Sequence, residues 1–174
     1  MKSKIFGIGL SRTGTTSLNN FLLKIGYNVI HYPRQEQLYE FSNDGATDIS
    51  VIPYYKDLDR LFPNSKFILT TRDKNQWLDS IAPYLERKRA WQQARWQVKL
   101  REDIYGTSFP NRDQAARAWD KHGYDVYKYF ENRPNDLITI DIVGGDSPKE
   151  LLKFLGKPEN LVKSFPHDNK LKRK

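Results

Sequence analysis

Cysteine is absent from this chain of 174 residues. That excludes disulfides, thiolate metal ligands and a cysteine nucleophile. Long apolar runs are missing too. The first residues, MKSK, lead into a six-residue apolar strand, shorter than a signal peptide core, and no stretch approaches the length needed to span a membrane. The expectation is a cytoplasmic protein with no membrane span. A third absence is local. Residues 7–26, GIGLSRTGTTSLNNFLLKIG, nearly spell a phosphate-binding loop, with Gly9 and Gly14 correctly separated and Thr16 supplying the hydroxyl. Thr15 stands where the nucleotide-binding lysine belongs, and the cation present is Arg12, inside the loop.

What the chain has in quantity is charge and aromatic surface. Nine Phe, ten Tyr and four Trp in one domain-sized length argue for a packed globule. The formal net charge of +8 points to anionic partners without choosing among small phosphorylated molecules, nucleic acid and membrane surface. Part of the excess sits in the terminal KLKRK, read as a solvated tail over residues 169–174, leaving residues 1–168 as a single domain. Another part sits in residues 84–103, where basic residues mix with Trp91 and Trp96. Such a mixture suits a single-strand nucleic-acid platform. The three- and four-residue steps of Trp91, Arg95 and Val98 suit an amphipathic helix better, so no nucleic-acid partner is expected.

Strands and helices alternate along the rest of the chain. Strands are expected over residues 4–10, 27–32, within 45–53, at 66–71 and at 137–142, the helices between them covering 15–25, 55–62, a stretch from 74 broken or bent at Pro83, and 113–132. Ser147, Pro148 and Glu150 read as a cap for a last helix ended by Gly156. This order implies an α/β fold: a mostly parallel sheet with helices on both faces and ligands beyond the carboxyl ends of the strands. Those ends carry residues 11–17, His31, Asp48, Arg72 with Asp73, and Asp141.

A glycine turn opening into a helix N-terminus is an anion cradle with or without the lysine. Arg12 adds a permanently charged fork suited to phosphate. A kinase-type reading would also require a strand-end carboxylate committed to a metal, which neither Asp73 nor Asp141 compels.

Two segments together resemble the sulfotransferase family. SRTGTT, residues 11–16, resembles its 5′-phosphosulfate loop, and KFILTTRDKNQWLDSI, residues 66–81, resembles its 3′-phosphate motif, in which a serine follows a strand-end arginine by eight positions, as Ser80 follows Arg72. Residues 121–169 also look like one microbial branch. The resemblance implies a P-loop-like three-layer fold and metal-independent transfer of a sulfuryl group from 3′-phosphoadenosine 5′-phosphosulfate (PAPS) to a hydroxyl or amine on a small molecule or saccharide. It implies that Arg12, Thr13, Gly14, Thr15, Thr16 and Ser17 hold the 5′-phosphosulfate and that Arg72 and Ser80 hold the 3′-phosphate. The family's late Arg-Lys-Gly segment is missing here, and Arg101, Arg112 and the tail lysines are equal alternatives for it. Relatives carry a histidine base about twenty residues before the second motif. Asp48 occupies that place, with His31 ranked second. A divergent nucleoside kinase and a non-catalytic anion- or nucleic-acid-binding domain are the competing readings.

Overall fold

In the computed structural model, which describes residues 3–39, 42–87 and 94–166, five parallel strands form one sheet in the order β2-β3-β1-β4-β5. The strands are β1 (Ile5–Gly7), β2 (Val29–His31), β3 (Gly45–Thr47), β4 (Lys66–Thr70) and β5 (Leu137–Ile140). They are shorter than the apolar runs in the sequence. The residues beyond each strand leave the sheet to build the site.

The central strand β1 pairs with β3 on one side and β4 on the other. Its alternating side chains separate two cores, as a period of two requires when both faces are covered. Ile5 joins Leu18, Phe21 and Leu22 of α1 (Thr15–Lys24) and Leu151 and Leu152 of α7 (Lys149–Phe154) on one face. Phe6 and Ile8 join the other face. There they meet Leu38 of α2 (Gln35–Tyr39), Leu58 of α3 (Tyr55–Leu61), and Val126 and Phe130 of α6 (Arg112–Phe130). The result is the expected α/β three-layer arrangement, a P-loop-like fold.

A third apolar cluster lies past the carboxyl ends of the strands. It is built from Leu10, Ile49, Ile52, residues of α4 (Lys74–Arg87) and α5 (Arg95–Tyr105), and Ala115 and Ala118 of α6. This cluster carries the loops that form the site.

Four local expectations need correction. Pro83 does not interrupt α4. Both Pro83 and Asp79, whose carbonyl loses its i+4 donor, are exposed, so water can replace the missing bond. The single helix expected over 84–103 is broken before Arg95, because Ala94 is extended (φ −64°, ψ 149°) and α5 starts there. The Gln97 side chain accepts the Ala94 N–H at 3.2 Å and fixes that start. Trp91, Lys88 and Gln92 lie outside the described residues, as do His167 and the basic tail. The third strand ends at Thr47, and Ile49–Tyr54 form a 3-10 helix containing Pro53. Ser147 is not the cap residue of α7: that place is taken by Pro148, and the Ser147 hydroxyl accepts only a long 3.4 Å bond from Lys149.

Candidate active site

The loop after β1 begins at a close approach. A Cβ on Gly9 would lie 1.8 Å from Thr70 Oγ1 and 2.8 Å from the Thr70 carbonyl, so no side chain fits between β1 and β4 at that point. Thr13 locks the turn. Its hydroxyl donates to the Leu10 carbonyl at 2.6 Å and accepts from Thr70 Oγ1 at 2.6 Å. Gly14 then adopts φ 98°, a left-handed conformation that favours glycine, and α1 starts at the next residue. First-turn amides of a helix have no partner within it, so those of Thr15, Thr16 and Ser17 stand at the positive end of α1.

Arg12 sits inside this turn at φ 74°. A left-handed arginine stores about 1 kcal/mol or more of backbone strain, an expense seen mainly where the backbone is held for function. Its Nε donates to Ser80 Oγ of α4 at 3.1 Å. The two motifs recognised in the sequence therefore meet. Arg12 and Ser80, expected at opposite ends of a ligand, touch each other directly. Trp77, one turn earlier on α4 and fully buried, donates its indole N–H to the Ser11 carbonyl at 2.9 Å. This bond fixes the loop against α4, and sequence reasoning missed it.

Arg72 follows β4 by two residues. Its Nε is buried without a hydrogen-bond partner. A buried guanidinium donor left unpaired among the described residues is costly. The neighbouring Asp73 accepts the Gln76 N–H at 2.9 Å and caps α4. Asp141 accepts the Gly144 N–H at 2.6 Å and so closes the turn after β5. Both strand-end carboxylates thus serve the backbone.

On the other side of the loop, His31 and Asp48 come together. Asp48 Oδ1 accepts from the Thr15 hydroxyl at 3.0 Å and from the Ile49 N–H at 2.8 Å, while Oδ2 lies 3.5 Å from His31 Nε2. Asp48 is held at φ 96°, a second strained non-glycine residue beside the loop. Thr47 Oγ1 donates to Asn19 Oδ1 at 3.1 Å, so it accepts from His31 Nδ1–H at 3.0 Å. Nε2 faces Asp48 and the Thr16 hydroxyl, 3.3 Å away. Sequence reasoning found His31 and Asp48 singly. The bonds through Thr47, Asn19 and Thr15 carry no local signature.

Beneath the loop, His122 of α6 bonds through Nε2 to the Ile8 carbonyl at 2.7 Å. Burial pushes its pKa below the ordinary 6.5, so it is a neutral donor at pH 7. Among the described residues no cluster of three or more His, Cys, Asp or Glu is placed to share a metal ion, and no helix is long and apolar enough to cross a membrane.

A parallel sheet whose central strand runs through a glycine turn into a helix N-terminus defines the class: a P-loop-like α/β protein. A family model described as a sulfotransferase domain matches residues 4–40 and 34–173, and the chain belongs to that family. No curated protein matches it. Among solved structures, a sulfotransferase from Alicyclobacillus acidocaldarius superposes with a TM-score of 0.61 at 12% identity, over 98% of this chain and 87% of that one. A mouse sulfotransferase complexed with PAP superposes with a TM-score of 0.53 at 14% identity, over 91% of this chain and 59% of the mouse protein. At such identities the likeness speaks for the fold, and the chain spans less than two thirds of the mouse protein's length.

Proposed function

We propose that the protein is a PAPS-dependent sulfotransferase that moves a sulfuryl group to a hydroxyl of a small acceptor, by in-line transfer and without a metal. The observation that carries this reading is the 3.1 Å bond from Arg12 to Ser80, which joins the phosphosulfate-type loop to the 3′-phosphate-type motif in one crevice. The buried, unpartnered Nε of Arg72 supports it, because a 3′-phosphate would supply the missing acceptor. PAP, bound by the mouse relative in its crystal, supplies the corresponding probe.

In this reading the loop amides, Thr15, Thr16 and Ser17 hold the 5′ end of the donor. Arg72 and Ser80 hold the 3′-phosphate. Arg12, lying between the two, turns toward the bridging oxygen as charge develops there, which is where a fixed cation speeds transfer. PAPS supplies an activated sulfuryl group: a bond from sulfur to the acceptor oxygen forms as the bond from sulfur to the phosphate oxygen breaks. His31 and Asp48 act together on the acceptor. Nε2 takes the hydroxyl proton, Thr47 keeps the ring in the required tautomer, and Asp48 balances the imidazolium charge. Engaging Thr16 with the donor withdraws its hydroxyl from Nε2 and leaves that lone pair for the acceptor.

Thermal shift with PAP, with ATP plus magnesium and with single-stranded DNA tests the reading, since a ligand that binds only the folded state raises its stability. PAP alone is expected to stabilise the protein. Stabilisation by ATP with magnesium and not by PAP favours a kinase and overturns the proposal. In Arg72→Ala the shift from PAP should fall while that from adenosine 5′-phosphosulfate, which has no 3′-phosphate, is retained.

A further inference from the structure

Three side chains of α1 reach the groups expected to react with the acceptor. Thr15 donates to Asp48 Oδ1 at 3.0 Å, Thr16 lies 3.3 Å from His31 Nε2, and Asn19, one helical turn beyond Thr15, accepts from the Thr47 hydroxyl at 3.1 Å. Asn19 and Thr47 are 7% and 0% exposed, so their bond is shut off from bulk water. Thr47 cannot turn away. It is paired in register with Gly7 of β1 on one side and with His31 of β2 on the other, and a Cβ on Gly7 would stand 3.0 Å from its methyl group. With the methyl wedged against the central strand, the hydroxyl is left between Asn19 and His31 Nδ1. His31 thus meets two consecutive residues, Thr47 at Nδ1 and Asp48 at Nε2, 3.0 and 3.5 Å away.

These two neighbours ask opposite things of a neutral ring. An ionised carboxylate can only accept, so Asp48 favours the tautomer whose proton sits on Nε2 and points at it. A ring in that form has no lone pair at Nε2 and cannot take a proton from an acceptor there. The Thr47 hydroxyl alone is indifferent, since it can donate or accept. Asn19 removes the choice: with Oδ1 accepting the hydroxyl hydrogen, Thr47 has only lone pairs left for Nδ1, and that nitrogen must carry the proton. Resting on the sulfotransferase reading with His31 as base, we propose that Asn19 is a positioning residue that sets the tautomer of His31 against the pull of Asp48 and so keeps Nε2 free for the acceptor's proton. The step balances with no further reactant. The acceptor O–H bond breaks, the proton joins Nε2, and the imidazolium that forms keeps Nδ1–H on Thr47 and turns Nε2–H toward Asp48. Asp48 therefore opposes the tautomer that reacts and stabilises the cation that results. The helix that starts in the donor's loop also arms the base, which puts both halves of the reaction on one rigid element.

The chain has three histidines, His31, His122 and His167, so long-range proton–nitrogen NMR spectra of the labelled protein can follow each ring, and His31→Gln assigns the signals. Recorded near pH 8.5, well above the ordinary imidazole value of about 6.5, they report which nitrogen of the neutral ring is protonated. In the wild type Nδ1–H should outweigh Nε2–H by about tenfold, the preference that one buried hydrogen bond supports. Asn19→Leu should reverse that preference in favour of Nε2–H and leave calorimetric PAP binding unchanged. A residue needed only for packing would not move the ring proton while PAP still binds. Thr47→Val cuts the same link with little change of shape, should reverse the tautomer too, and decides the matter if Asn19→Leu does not fold. A wild-type ring protonated on Nε2 overturns the proposal outright, as does an Nδ1–H ring that persists in the folded variant. Failure of PAP to bind the wild type overturns the donor reading, and this proposal with it, whatever the ring signals show.

Discussion

Replacing His122 by Gln should change how stability depends on pH. His122 is 9% exposed, and its bond to the Ile8 carbonyl ties α6 to the last residue before Gly9. Burial lowers its pKa from 6.5, with the Ile8 bond and Asp125 opposing that shift and Lys121 adding to it. The native state therefore binds this proton less readily than the unfolded chain. For a depressed pKa, the contribution to stability is complete above the unfolded value and is lost as pH falls from about 6.5 toward the folded value. One proton corresponds to a slope of about 1.4 kcal/mol per pH unit within that window. Glutamine can offer an amide N–H in place of Nε2–H but cannot titrate. Urea unfolding at pH 7.5, 6.5 and 5.5 should show the wild type more stable at pH 7.5, by about 1 kcal/mol for the better packing and bond. That lead should shrink as the pH falls from 6.5 to 5.5, since every other group is common to both proteins and cancels. A gap that is constant, or that widens on acidification, would refute a buried neutral His122.

Other substitutions bear on the site. Arg12→Ala should lower turnover by about a hundredfold, more than it weakens PAP binding, because its charge is used as the bridging oxygen leaves; unchanged turnover removes Arg12 from the mechanism. Asp48→Asn should reduce transfer by about a hundredfold or more and leave PAP affinity intact, and His31→Gln should do the same. If one of the two variants keeps full activity in steady-state assays, the pair is not acting as a unit. Gly9→Ala should cost at least about 3 kcal/mol, from the 1.8 Å clash with Thr70 Oγ1, and should lower the thermal midpoint by several degrees. A normal melting curve for that variant would contradict the packing of β1 against β4.

Much of this architecture could be read from short segments. The glycine turn, the helix after it and the spacing of Arg72 from Ser80 are written within a few residues of one another, and local backbone rules decide them. The boundary errors have equally local causes. Pro83 was expected to break α4 because propensity ignores exposure, and Pro53 with its neighbours coiled into a 3-10 helix where apolar residues suggested more strand. The site's wiring was another matter. Trp77 to Ser11, Thr15 to Asp48, and His31 through Thr47 to Asn19 join residues far apart in sequence, and single polar residues have no periodicity to announce a partner. Arg101 illustrates the same limit: its bonds to the Ser108 and Leu85 carbonyls and its place beside Tyr105 have no local signature.

The strand at the centre of the sheet precedes both of its neighbours in the chain. Ile5 pairs with Gly45 on one flank and with Lys66 on the other, so both neighbours of β1 are made after it. During synthesis the loop after β1 therefore emerges before either flanking strand, these arrive before Arg72 and Ser80, and β5 comes later still. Such non-local pairing slows folding and exposes an unpaired apolar strand to wrong partners in the interval. Whatever protects that interval acts on residues 5–10 above all, the same stretch whose glycine later admits no side chain at all.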